Sequence, residues 1–302
     1  MTGRTPPRSR PPRAHHPCAP WLLVAPALLW LAVFSLWPAL NTGVLSFTNV
    51  HTLSGGQFVG LRNYALMWQD PQLRDAIVNT LLFMAVCVPL LTLLPLLLAL
   101  LVQRTLPFMG FFRTVFYFPV IASAVVVALI WQWMLDDRGL VNGLGRQAGL
   151  LHRAVPFLTD RWLLLASAVA LTVWKGLGYY MVLYLSALGN VRRELHEAAA
   201  VDGAGAVRRF RSVTVPGVRG TMALVSVLIA VSAMRVFTEL YVLGGRTGGV
   251  GGQDVSLVML IQQAAAGSDG RIGYASALSV LLFALTVGPL LLLARWNRRG
   301  DR

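Results

Sequence analysis

Six apolar stretches, at residues 21–40, 76–102, 114–135, 163–188, 221–243 and 272–296, decide what this chain can fold into. Each is about 20 residues or longer, enough to cross roughly 30 Å of hydrocarbon as a helix. A spanning segment has to satisfy its backbone polar groups internally, so the stretches read as helices. The expected fold class is all-α: a polytopic membrane protein with six transmembrane helices forming one membrane domain over 21–296. Composition agrees, since 56% hydrophobic and 13% charged residues are too apolar a mixture for an ordinary soluble domain. Pro89, Pro95 and Pro119 fall inside spans and are expected to kink them. The first apolar stretch is long for a signal sequence and no cleavage site follows it, so it is read as an uncleaved span.

The net charge of +14 comes almost wholly from arginine, since Lys175 is the only lysine. These arginines flank the spans rather than lying along one soluble face, which points to topology and away from nucleic acid. With the N-terminus inside, the inner segments carry four, two, six and four arginines, sixteen in all, against eight in the outer segments. The excess lies where the positive-inside rule expects it, with both termini cytoplasmic. Residues 1–20 are rich in Pro and Arg and read as a disordered cytoplasmic tail, and 297–302 as a short basic one. Trp131, Trp133 and Trp162 border the loop at 136–161, as an interfacial aromatic belt would. Cys18 and Cys87 make no disulfide framework and no metal cluster.

The segment 190–219, between the fourth and fifth spans, is longer than a simple connection needs. It holds Glu197, Ala198, Ala199, Asp202, Gly203, Ala204, Phe210 and Pro216. Good helix formers run from Glu194 to Val201, and Gly203 sits where that helix should turn. A second helical run from Ala204 places Val207, Phe210 and Val213 near one face, and Pro216 is expected to end it. The expectation is helix, turn, helix, outside the bilayer, with small side chains that let another surface approach closely.

These residues, at this spacing, resemble the EAA loop of the permease subunits of ATP-binding-cassette (ABC) importers. The segment Phe58-Val59-Gly60-Leu61-Arg62-Asn63-Tyr64, Asn79-Thr80, and Trp174-Lys175-Gly176 with Gly178-Tyr179-Tyr180 are similar to the carbohydrate-uptake type. Prolines usual before the motif and after Pro216 are replaced here, in Val191-Arg192-Arg193 and near Gly220. The resemblance implies an ATPase-coupling role for Glu197, Ala198, Ala199, Asp202, Gly203, Ala204 and Phe210. It also implies ABC ATPase subunits as partners, a second and different permease subunit, an extracytoplasmic solute-binding protein, and a carbohydrate as solute. ATP and Mg would be bound by the ATPase, with no cofactor on this chain.

The chemistry the chain lacks is consistent with that division of labour. No G-x-x-x-x-G-K-[ST] loop is present, and His196-Glu197 lacks the second histidine of a zinc-protease helix, so neither a catalytic nor a metal site is expected. The glycines at 244–252 read as a flexible outer loop rather than a phosphate cradle. Charged residues within spans are costly and face a cavity or one another. Lys175, Arg235 and Glu239, with the rings of Trp174, Tyr179 and Tyr180, are therefore candidates for a solute pathway. Arg235 and Glu239, four apart, should share a helix face, and an Arg235–Glu239 or Lys175–Glu239 pair that only ties two spans together is the competing reading. A transporter driven by an ion gradient would work without an ATPase and show paired inverted repeats and discontinuous helices at midplane; no convincing internal repeat is present, and such a transporter has no use for a docking loop. An intramembrane enzyme would need catalytic groups within the spans, and no histidine or aspartate lies there.

Overall fold

Asp70 and Pro71 start the longest helix among the described residues. The Asp70 carboxylate accepts a hydrogen bond from the Gln72 N–H at 3.0 Å, and Pro71 occupies the first turn, where its missing N–H costs nothing. The computed structural model describes residues 19–103 and 109–299, and the side chains of these except at 19, 20, 289, 290 and 292–299. The expected N-terminal tail up to residue 18, Arg104 of the inner connection, and the last three residues of the basic end lie outside the described residues.

Helices account for the architecture. They are α1 (Trp21–Leu45), α2 (Arg62–Met67), α3 (Pro71–Val102), α4 (Met109–Ile121), α5 (Ala124–Leu135), α6 (Leu140–Gln147) and α7 (Arg161–Gly189). The second half holds α8 (Arg193–Val201), α9 (Ala206–Gly217), α10 (Arg219–Met234), α11 (Thr238–Gly244), α12 (Leu257–Ala265) and α13 (Ile272–Arg299). Among the described residues the only extended pairing is a single bridge between Thr48 and Phe58.

The apolar stretches thus become helices, but two of them are not continuous. The third stretch breaks at Ala122–Ser123, and the axes of Met109–Ile121 and Ala124–Gln147 diverge by 97°. The fifth breaks after Met234, where Phe237 takes φ −141°, ψ −61° before α11 begins. At 16 residues, α10 rises about 24 Å, short of the roughly 30 Å of hydrocarbon. The expectation that Arg235 and Glu239 share a helix face fails here, because the backbone leaves the helix between them.

The core is built by α3 and α7 with α10 packed across them. Phe83, Leu96, Leu164, Leu171, Met181, Tyr184 and Ile229 are fully buried there. Gly178 allows α4 and α7 to cross at backbone contact, since a Cβ at that position would collide with the Phe116 carbonyl. Thr92 and Ser226 hydroxyls meet at 3.0 Å between α3 and α10. The first helix meets the bundle through its C-terminal part, Trp37–Leu45, which lies against α13, while its most apolar length is unburied in this chain. The N-terminal ends of α3, α7 and α13 gather at one end of the bundle, and the segment 190–218 hangs from the other.

Candidate functional site

Two places gather the residues singled out by the sequence. The first is the segment 190–218. Helix α8 presents Glu197, Ala198 and Ala200 to solvent and ends in a left-handed turn at Gly203, with φ +74°. The Gly203 N–H donates to the Ala200 carbonyl at 3.0 Å and the Ala204 N–H to the Ala199 carbonyl at 2.9 Å. That paired closure satisfies the carbonyls a helix end leaves free, and glycine is the residue that enters it without strain. Asp202 sits at the helix end, exposed, with Val201 beside it 88% exposed.

Helix α9 ties this projection to the bundle. Phe210 packs against the core, Thr214 and Val218 are buried, and Gly217 lies against Val191. Two expectations change. Residues Phe210–Thr214 form a π-helical turn, which rotates the register, so Val207 points outward while Phe210 points in. Pro216 does not end the helix, which runs through it to Gly217. The wider turn before Pro216 accommodates a residue that cannot donate.

The second place is a cavity of about 370 Å³ inside the bundle. Lys175, Tyr179 and Tyr180 reach it from α7, Phe83 and Cys87 from α3, and Arg235 and Glu239 from the break in the fifth stretch. The Tyr179 and Tyr180 rings meet edge to face at 5.1 Å, and Phe237 stacks on Tyr241 at 4.9 Å. The Thr172 hydroxyl lines the cavity, buried and without a partner. Trp174 is not part of it, but lies 6.0 Å from Trp131 on another face of α7. Neither ion pair weighed from the sequence forms among the described residues. Lys175 instead donates to three backbone carbonyls, of Pro119 at 3.3 Å, Val120 at 3.4 Å and Ala122 at 2.8 Å. These are the carbonyls exposed where α4 stops, and a cation there also suits the helix dipole.

A polar knot above the cavity had no role assigned from the sequence. Arg161 pairs with Asp75 at 2.8 Å and reaches Asn79 Oδ1 at 3.3 Å. Asn79 Nδ2 donates to the Gln253 and Val255 carbonyls at 2.6 and 3.0 Å, and the Thr80 hydroxyl accepts from the Leu257 N–H at 3.1 Å. Asp254 is buried in the same knot, and its Oδ1 has no hydrogen-bond partner. Burial pushes its carboxyl up to about 6; Arg161 pulls against that, while Asp160 and Asp75 add to it. A carboxyl raised in the folded state costs stability once ionised. The cost is absent below the ordinary pKa of 3.8, grows from there to about 6, and is fully present above. Asp254→Asn is therefore expected to raise the thermal stability of the purified protein at pH 7.5 and to leave it nearly unchanged at the acid end of that window. A variant that gains nothing at pH 7.5 would mean the ionised carboxyl is compensated.

The chain matches, over residues 70–299, the family described as the binding-protein-dependent transport system inner membrane component. The chain belongs to this family. The matched stretch begins at the cap of α3 and takes in both the segment 190–218 and the whole lining of the cavity. As an inner-membrane component it is a multi-pass transport subunit and not an enzyme. It is 32% identical over 245 residues to the lactose transport system permease protein LacF of Rhizobium radiobacter, covering 80% of this chain and 81% of that protein. It is 31% identical over 300 residues to the alpha-glucoside transport system permease protein AglF of Rhizobium meliloti, covering 97% of this chain and 85% of that one. Among solved structures, a bacterial ABC transporter involved in the import of the acidic polysaccharide alginate superposes with a TM-score of 0.81 at 24% identity, over 93% of this chain and 96% of that chain. Broken helices alone would also have suited an ion-driven carrier; family membership decides for the importer permease.

Proposed function

We propose that the chain is one of two different permease subunits of an ATP-driven ABC importer for a carbohydrate. The solute is delivered by an extracytoplasmic binding protein, and hydrolysis takes place in separate ATPase subunits holding ATP and Mg. The arginine distribution supports a cytoplasmic placement of both termini and of segment 190–218. The observation that carries the reading is the exposed, sharply closed helix α8, fixed through α9 to α10 and to Val191 just past the end of α7, the two helices that also wall the cavity. ATPase closure would move α8 as a rigid body and carry the cavity walls with it. Glu197, Ala198, Ala199, Asp202, Gly203 and Ala204 form the docking surface in this reading, and Phe210 anchors it.

In the cavity, the rings of Tyr179 and Tyr180 offer faces for the apolar side of a sugar, while Glu239, Arg235 and the Thr172 hydroxyl offer hydrogen bonds. About 370 Å³ lies at the small end of the range for small-molecule sites, roughly 300–1,000 Å³. The test is reconstitution with the partner subunits in proteoliposomes. Hydrolysis is expected to rise when sugar-loaded binding protein is present, and Glu197→Lys is expected to abolish both that rise and uptake while membrane insertion persists. Uptake that continues without any ATPase would overturn the proposal.

A further inference from the structure

A smaller hollow lies at the opposite end of the bundle from segment 190–218. Its volume is about 200 Å³, below the roughly 300 Å³ where small-molecule sites begin. It is walled by the chain that leaves α1, by α2 and by the first turn of α13. The framework is tightly tied. The Gly273 N–H donates to the Val50 carbonyl at 3.0 Å, and the Thr52 N–H to the Gly270 carbonyl at 2.9 Å. Buried Asn63 donates to the Ser46 and Thr48 carbonyls, each at 2.8 Å. Gly273 touches the Thr48 backbone so closely that no side chain fits between them.

What lines this rigid hollow is basic. Arg62, Arg271 and His51 line it, and no carboxylate does. Arg271 lies 4.6 Å over the Tyr274 ring, which leaves the edge of its guanidinium free to donate. The nearby acid, Asp70, is engaged by the Tyr274 hydroxyl at 2.7 Å. Among the described residues, neither Arg62 nor Arg271 forms an ion pair. Two guanidinium groups without counter-charges, on a fixed frame, match an anion able to take a bidentate donor pair, and phosphate is that anion.

The surroundings distinguish a lipid phosphate from a soluble one. Phe58 is 78% and Leu61 68% exposed at the rim, and the bare apolar length of α1 begins beside it. A soluble phosphate gains nothing from that surface, whereas acyl chains below a bound headgroup would cover it. We propose that this hollow binds the phosphate of a membrane glycerophospholipid, with its chains along α1. The inference rests on the permease reading only for the leaflet, which the orientation above makes the outer one. Retention of lipid does not depend on it.

The test is native mass spectrometry of the full-length protein in its purified importer complex, titrated with phosphatidylglycerol. One lipid is expected to be retained at collision energies that strip the rest. Arg62→Gln with Arg271→Gln is expected to weaken that retention by about tenfold or more, and each single change by less. Arg74→Gln, an exposed arginine at the same end, is expected to have no effect. Diacylglycerol, lacking the phosphate, should not be retained. Equal retention by wild type and the double variant, or an equal loss in Arg74→Gln, would overturn the site. Displacement by glycerol 3-phosphate at matching concentration would overturn the lipid as its ligand, whichever way the complex is oriented.

Discussion

Gly203→Val is expected to uncouple the importer: solute uptake falls by about tenfold or more while the spans remain inserted and the complex assembles. The reason is backbone conformation rather than lack of room. A Cβ at Gly203 would meet nothing within 4 Å, yet the residue holds φ +74°. A β-branched residue is a poor occupant of that region, and the left-handed conformation costs roughly 1–2 kcal/mol for an ordinary L-residue. Relief comes by leaving the turn, which breaks the bonds from Gly203 to Ala200 and from Ala204 to Ala199. The end of α8 then frays, and the surface around Glu197 and Ala198 loses its shape. Gly203→Asn is the informative companion, because asparagine is bulky but tolerates the left-handed region. Solute carried per ATP hydrolysed, measured in proteoliposomes, should rank glycine, then asparagine, then valine. Valine equal to glycine would show that the closed turn has no part in coupling.

The second large effect is expected at Lys175. Lys175→Met keeps the length of the side chain and removes its charge. The carbonyls of Pro119, Val120 and Ala122 then lose their shared donor in a part-buried setting. One charge-assisted hydrogen bond is worth about 1.5–3 kcal/mol, so a loss on the order of 3 kcal/mol is expected. The purified complex should melt several degrees lower, and Lys175→Arg, which still donates, should recover most of that loss. This separates the two roles weighed for Lys175. A variant that keeps its melting temperature but needs far more sugar for half-maximal uptake would place the ammonium on the solute instead of on the helix end.

Much of the architecture was legible because hydrocarbon thickness sets the length of the apolar stretches. The loop at 190–219 was legible because its glycine answers a local backbone demand that glycine meets. The breaks were legible only in part. Pro119 was expected to kink the third stretch, but the helix runs through it and breaks three residues on, at Ala122–Ser123, while Arg235–Phe237 carries no proline or glycine. Each break is held from elsewhere in the chain: Lys175 caps the end of α4, and the Ser256 hydroxyl donates to the Val236 carbonyl at 2.6 Å. The polar knot escaped for the same reason, since Asn79 finds its acceptors at Gln253 and Val255, far along the sequence. Trp174 was drawn into the candidate pathway by its neighbours in sequence, but its position on α7 turns it toward Trp131.

The two interruptions flank the same cavity, and this bears on how such a wall can move. A continuous helix resists bending, because a sharp kink forfeits intrahelical hydrogen bonds. Here the regular helical ladder is already interrupted, and carbonyls at the breaks are held by side chains that can swing with them, an ammonium in one case and a hydroxyl in the other. Rotation about Ala122–Ser123 or Arg235–Phe237 would open the chamber like a jointed limb, each rigid half keeping its own internal bonding. The protein would pass between its two faces by pivoting at joints built into the resting fold, without melting any helix on the way.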